Sequence, residues 1–315
     1  MLDARCWMLD TVIVRIGALA LALFLRSSSR SCRERPHFLI FGPMQPTIVS
    51  GILVENTHLF SDHLRREVTI DFFLPKNVTD PSSMSLLLIN DGQDMKTMGL
   101  EAILTKLYAE NEIEPLLCVA IHANKERKKE YGIAGHPDYL GRGSKAGLYT
   151  SFIFEELLPY INKTYVLESF KEKAFAGFSL GGLMALDIVW KHPDQFTRAG
   201  IFSGSLWWRS INQENENYDD DKHRIMQQQV RDGIYHPGLK FFFQCGNMDE
   251  TKDRNNNGII DSIDDTLDLI KELETKGYQR EKDIFYLELP DGHHDVATWG
   301  RAMPVFLKWG WGGRR

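Results

Sequence analysis

A lone serine sits between glycines in GFSLGGL (177–183), directly after the apolar run KAFA. Where a strand turns sharply into a helix, a serine at the apex is forced into a strained backbone and its hydroxyl stands clear of the sheet. A Cβ on either side would crowd such a turn, so glycine at 177 and 181 is what the geometry demands, and Gly182 would let the helix pack close to the sheet. G-x-S-x-G alone is weak evidence, since a plain tight turn can carry it. Here it lies between a buried-strand pattern and a helical pattern closing at Pro193. That setting makes Ser179 a candidate nucleophile.

A serine hydroxyl attacks poorly until a base takes its proton, so the reading requires a histidine oriented by a carboxylate, in the chain order Ser, Asp, His. After LKFFFQC comes GNMDE, and Asp249 is preferred to Glu250 because the shorter side chain at a strand exit fixes an imidazole with less freedom. After DIFYLELP comes DGHHDVATW, which offers His293 and His294 in the loop before the last helix. Either histidine without the serine turn would be an ordinary loop residue. Acyl chemistry also needs N–H donors aimed at the developing oxyanion. Leu180, at the helix start, supplies one candidate. Gln93 in NDGQDM (90–95) supplies the second, against the alternative of a plain Asp-Gly turn.

These residues need a scaffold. From about Thr47 onward, strands alternate with helices without a linker. EVTIDFFLP, SLLLIN, LLCVAIHA, KAFAGFS, AGIFSG, LKFFFQCG and DIFYLELP read as strands; LEAILTKLYAE, YTSFIFEELLPYINKTY, LGGLMALDIVWKH, DDTLDLIKELETKG and VATWGRAMPVFLKW read as helices. Unbroken apolar strands suit a parallel sheet covered on both faces. The expected fold class is α/β, a mostly parallel central sheet with helices on both faces, in a single domain over 44–315. Pro159 and Pro304 should kink or shift their helices. Residues 206–235 interrupt the rhythm with WW, NQENEN and DDD, as an insertion above the carboxyl ends of the strands would.

With 43% hydrophobic and 25% charged residues among 315, the chain has the balance of an ordinary globular protein. A net charge of -6 gives no basic footprint for nucleic acid. Cys118 and Cys245 lie in apolar runs and read as small buried hydrophobes. Residues 1–43 look like an extension, with Met44 as an alternative start. TVIVRIGALALALFL (11–25) is interrupted by Arg15 and too short for a membrane span, which needs roughly 20 apolar residues. IGALALALFL has the look of a signal-peptide core, but a positive leader and a cleavage site are lacking. A cytoplasmic location is expected, with export the alternative should this segment act as a signal.

Other features carry two readings each. Trp207 and Trp208 would wall an acyl or sugar pocket, or pack beneath the insertion. Arg142 in GRG would pair with an anionic substrate group, or brace a loop. DRNNNGIIDSID (253–264) has the spacing of an EF-hand-like loop for a structural Ca2+, without the closing bidentate glutamate and the entering helix; the plainer reading is an Asn/Gly turn before a helix cap. ENENYDDDK and HANKERKKEYG read as solvated charged stretches.

NDGQDM, EYG with GRGSKAGLYTSFIFEELLPYI, AGFSLGGLMAL, GIFSGSLWW, CGNMDE and GHHDVATWGRAMPVFLKW together resemble the Putative esterase family of α/β-hydrolases, the group of enterochelin esterase-like, feruloyl or acetyl-xylan esterase-like and esterase D-like enzymes. The likeness covers most of residues 60–310. It implies the α/β-hydrolase fold, assigns the nucleophile to Ser179 and selects His294, in the position of the family's Gly-His-Asp histidine, over His293. Val296 stands where the family usually has an aromatic residue. The resemblance implies a serine carboxylic-ester hydrolase working through an acyl-enzyme, with no required cofactor and a small-molecule or carbohydrate-linked ester as substrate. An acyltransferase with the same triad and a non-catalytic binding module that kept the fold are the alternatives.

Overall fold

The computed structural model describes residues 51–313 apart from 77, 79 and 166–168. The expectations for residues 1–43 and for Met44 fall outside the described residues. Eight strands form one sheet: β1 (Ile52–Ser61), β2 (Arg66–Pro75), β3 (Ser85–Asn90), β4 (Leu116–Ile121), β5 (Lys173–Phe178), β6 (Arg198–Phe202), β7 (Lys240–Met248) and β8 (Ile284–His293), in the order β1-β2-β4-β3-β5-β6-β7-β8. From β4 to β8 every neighbouring pair is parallel, and β1 and β2 run antiparallel at one edge.

Alternate residues of the central strands serve two cores. Leu86, Leu88, Val119, Phe175 and Phe241 pack with Leu157, Leu183, Leu186 and Leu269, from the helical segments at 146–165, Leu180–Lys191 and Asp261–Lys276. Leu87, Ile89, Cys118, Ala176 and Phe242 pack with Leu104, Met303 and Phe306, from helices Leu100–Ala109 and Val296–Trp311. A fully covered aliphatic or aromatic side chain contributes about 1.5–3 kcal/mol relative to exposure, so burial on both faces is what holds strands with so few polar positions.

β1 is the strand that the apolar pattern does not announce. Its polar centre, Glu55 to His58, alternates half-buried and exposed positions, as suits an edge, and pairs with β2 along its whole length from Ile52↔Pro75 to Ser61↔Arg66. Pro159 lies two residues beyond the end of a π-helical turn (Phe152–Leu157), in which the hydrogen-bond ladder is widened. Pro304 is inside the last helix. No helix among the described residues is long and apolar enough to cross a membrane.

The parallel strands point their carboxyl ends to one side. The chain leaves β3, β5, β6, β7 and β8 there, so the segments after Asn90, Phe178, Phe202, Met248 and His293 share one rim.

Candidate active site

Ser179 sits at that rim with φ 55° and ψ −120°, a conformation non-glycine residues rarely adopt. The turn is as crowded as the sequence requires. A Cβ on Gly177 would lie 2.3 Å from the Gly181 carbonyl oxygen, one on Gly181 2.6 Å from Asp91 Oδ2, and one on Gly182 3.0 Å from the Gly177 oxygen. The Ser179 amide donates to Phe202 O at 2.9 Å, and its Oγ lies 3.3 Å from Ser205 Oγ.

Leu180 opens the helix Leu180–Lys191, whose first N–H groups have no partner within the helix. Gln93 lies in a 3-10 turn (Gly92–Asp94) after left-handed Asp91 (φ 62°). The two pieces are stitched together: Asn90 Nδ2 donates to Gly181 O at 2.8 Å, and Tyr149 Oη donates to Asn90 Oδ1 at 2.6 Å. The Gln93 side chain is fixed as well, Oε1 accepting from the Ala123 amide at 2.9 Å.

Asp249 follows β7. Its Oδ2 accepts from the Gly246 amide at 3.1 Å, while Oδ1 is buried without a hydrogen-bond partner among the described residues. Burial pushes its carboxyl above the ordinary range, opposed by the Gly246 N–H, the nearby Ser203 hydroxyl and the charge of His294. His294, one residue beyond β8, keeps an exposed side. Loss of solvent on the other side lowers its pKa below 6.5; Asp249 pulls the other way, and Arg127 adds to the lowering. His294 and Asp249 thus act on each other through charge, without a hydrogen bond of ordinary length between them. The strand ends leading to them meet at two glycines: a Cβ on Gly246 would lie 2.3 Å from Gly292 O, and one on Gly292 2.8 Å from Gly246 Cα. Asp295 caps the last helix by accepting from the Thr298 amide at 2.8 Å, which anchors the histidine loop.

Several residues at this rim were not singled out by the sequence. Trp299 stacks on Phe178 with ring centroids 5.0 Å apart, meets the edge of His294 at 5.4 Å, and donates from Nε1 to Ser203 Oγ at 3.0 Å. Asp91, 1% exposed, accepts from Arg127 Nε at 2.6 Å and Nη2 at 2.7 Å, and Nη2 donates a third bond to Phe178 O at 3.1 Å. Arg127 belongs to HANKERKKEYG, so that stretch is not the solvated loop its charges suggest; its Glu130 is buried against Arg66 as well. The signal for Arg127 is its order in the chain, four residues before the half-apolar YGI, which gives no hint of a partner 36 residues earlier.

The three pocket candidates divide between their two readings. Trp208 is fully buried and donates to His136 O at 2.9 Å, with no room for a Cβ on Gly132 or Gly143 against its ring, so it packs under the insertion. Arg142 braces its own loop, donating to Asp138 Oδ2 at 2.6 Å, and also lines a cavity with Trp207, whose ring centroid lies 4.6 Å away. Trp207 stays partly open at the wall of a cavity. In the 253–264 loop, Asp253 accepts from the amides of Asn257 and Gly258, the side chains of Asn255 and Asn257 donate to Asp264, and Asp261 accepts from the Arg254 amide. Asp261 is thereby turned to Arg254. Among the described residues no group of three or more His, Cys, Asp or Glu side chains suits a metal. Cys118 and Cys245 are free and buried.

An eight-stranded α/β sheet with a strained serine at the carboxyl end of β5 is the α/β-hydrolase arrangement. The sequence matches the family described as Putative esterase over residues 61–309, and the chain belongs to that family, among the carboxylic-ester hydrolases. It is 24% identical over 259 residues to the uncharacterized protein YjcH of Bacillus subtilis (strain 168), covering 81% of this chain and 96% of that one. Similar folds include the enterobactin esterase FES from Shigella flexneri (TM-score 0.60, 19% identity, 84% of this chain, 62% of that one) and a ferulic acid esterase (TM-score 0.61, 20% identity, 83% and 98%). The siderophore hydrolase EstB from Aspergillus nidulans is a third (TM-score 0.60, 18% identity, 84% and 97%). The chain spans less than two thirds of FES.

Proposed function

We propose that the protein hydrolyses carboxylic esters through Ser179, His294 and Asp249 by way of an acyl-enzyme. The observation that carries this reading is Trp299, whose indole touches the residue before the serine, the histidine itself and the serine beside Asp249. Three segments far apart in sequence share that one side chain. Backbone strain at Ser179 supports the reading, because a strained non-glycine residue persists only where its surroundings enforce it.

In the first half-reaction His294 takes the Ser179 proton as Oγ bonds to the ester carbon, and the N–H groups of Leu180 and Gln93 receive the oxyanion. Asp249 holds the imidazole and stabilises its charged form. Collapse of the intermediate breaks the bond to the alcohol, which leaves with the proton from His294. Water then repeats the sequence on the acyl-enzyme, releasing the acid and restoring Ser179. A neutral imidazole is needed at the start, and the lowered pKa of His294 keeps it neutral into mildly acidic solution.

The test pairs a fluorophosphonate probe with an ester panel of acetyl, feruloyl and siderophore-type substrates, chosen because similar folds carry the names ferulic acid esterase and siderophore hydrolase. Labelling should map to Ser179, and Ser179→Ala should lower kcat by about 10⁴-fold or more. Undiminished hydrolysis by folded Ser179→Ala would refute the assignment.

A further inference from the structure

A row of polar side chains runs across the sheet from its antiparallel edge to the turn that bears Gln93. β1, β2 and β4 are neighbours, with Asn56 opposite Asp71 and Asp71 opposite Ala120; the pairing continues one step past β4, where the His122 amide donates to Thr69 O at 2.9 Å. Asn56, Asp71, Ala120 and His122 therefore share one face. Asn56 Nδ2 donates to Asp71 Oδ1 at 2.6 Å, and His122 Nε2 donates to Asp71 Oδ2 at 2.7 Å. A carboxylate only accepts, so Asp71 fixes which ring nitrogen of His122 carries the proton. The imidazole ends against the turn. A Cβ on Gly92 would lie 2.7 Å from His122 Cδ2 and 2.7 Å from Ala120 O, so glycine is what lets the turn seat on the end of β4.

Bracing of the sheet edge accounts for Asn56 and Asp71, which lie on its two outermost strands. It does not account for the His122 ring. Backbone pairing already secures that residue, and its side chain lies against Gly92, one residue before the N–H that is to receive the oxyanion. Arg127 holds the same turn from another side through Asp91, and the Ala123 amide holds the Gln93 side chain. Neither sets how far the Gly92 backbone stands from β4. The imidazole does, and a charge-assisted bond to a carboxylate whose other oxygen is also occupied leaves it little freedom to swing away. A donor must be placed to fractions of an ångström to stabilise a developing charge, which is the demand such a backstop meets.

We infer that His122 and Asp71 are positioning residues for the reaction: the pair backs the Gly92 turn so that the Gln93 N–H stands where the oxyanion forms. The inference rests on the esterase reading. The test measures kcat and KM for ethyl acetate and Ki for 1,1,1-trifluoroacetone, whose carbonyl carbon bonds to Ser179 Oγ while the proton passes to His294 and the carbonyl oxygen becomes an oxyanion. His122→Phe keeps a flat ring and loses the donor; His122→Gln keeps a donor of similar reach. In His122→Phe kcat should fall by about tenfold with KM within about twofold, and Ki should rise by about the same tenfold, a part of the roughly 100-fold that removal of a donor costs. His122→Gln should return both to within about threefold of wild type. Asp71→Asn should act as His122→Phe does, and it keeps the test open should that variant fail to fold. Unchanged kcat and Ki, a loss that falls on KM instead, or rescue by phenylalanine and not by glutamine overturns the inference. Should wild type hydrolyse no ester and Ser179 resist the fluorophosphonate, the esterase reading fails separately; hydrogen exchange of the Asp94 amide, which closes the turn on Asp91 O at 3.0 Å, then decides whether the pair holds the turn. Exchange about tenfold faster in His122→Phe upholds that hold, and an unchanged rate overturns it.

Discussion

The rim around Ser179 and the insertion at 206–235 grow from neighbouring strand ends but are held by opposite means. At the rim, backbone is pressed against backbone: Gly177 on Gly181 and Gly246 on Gly292 come so close that no Cβ fits. The insertion is instead tied down by charge. Arg224, 4% exposed, reaches Asp265 at 2.9 Å and Asp268 at 3.0 Å from helix Asp261–Lys276, and Arg254 reaches Asp265 and also Asp220 at 3.1 Å. Steric closure fixes atoms to fractions of an ångström, as reacting groups need. Ion pairs hold a layer in place with more latitude in geometry. The same contrast predicts that damage to one region should read out as rate and damage to the other as stability.

The largest effect should come from the charged layer. Arg224→Gln takes from buried Asp265 one of its two guanidinium partners and leaves Asp268 with Lys271 alone, and breaking one side of a buried pair costs about 3 kcal/mol. Denaturant unfolding should show that loss. Hydrolysis of ethyl acetate by the folded variant should stay within about twofold of wild type, as for changes remote from the chemistry. Equal stability would mean that the insertion is held by its apolar contacts, such as Met226 and Val230, and not by its ion pairs.

Gly246→Ala probes the opposite case. The new Cβ would meet Gly292 O at 2.3 Å and Asp249 Oδ1 at 2.8 Å, so the acid and histidine loops must separate. A displacement near 1 Å at reacting groups lowers rate by about 100-fold, and kcat should fall by that order. Full activity in this variant would show that the two loops tolerate slack, and the contrast between the regions would be lost.

Much of this arrangement is legible in the sequence, for physical reasons that also mark where legibility stops. SLLLIN becomes β3 residue for residue, and the glycines at 177 and 181 occupy the crowded turn they imply, because a buried strand and a strained turn each constrain residue type locally. Asp249 and His294 stand at the strand exits expected of them. Arg127, Asp91 and Trp299 escape notice because their roles lie in partners remote in the chain: Arg127 binds a carboxylate across 36 positions, and Trp299 a hydroxyl across 96. Trp208 stays open between two readings for the opposite reason, since a tryptophan beside a pocket wall and one beneath it have the same sequence. β1 is hidden by its polar centre, which an edge strand can carry and a central one cannot.

Arg127 is where the two modes meet, an ion pair at the sterically closed rim, and it yields the smallest effect but the most specific one. Its guanidinium does two separable things. It clamps Asp91 with two bonds and Phe178 O with a third, which sets the turn bearing Gln93 against the turn bearing Ser179, and its charge disfavours the His294 imidazolium. Arg127→Gln removes both. With the cation gone the imidazolium is easier to form, so the pKa of His294 rises and the acid limb of kcat/KM moves to higher pH, toward the ordinary 6.5, while kcat falls by about tenfold from the loosened turn. Arg127→Lys divides the two: its charge keeps the limb where wild type has it, but an ammonium cannot reproduce the planar two-bond clamp, so kcat still falls. A limb unmoved in both variants, or moved equally in both, would leave Arg127 with a packing role alone, and the rim would then owe nothing to charge beyond Asp249 and His294.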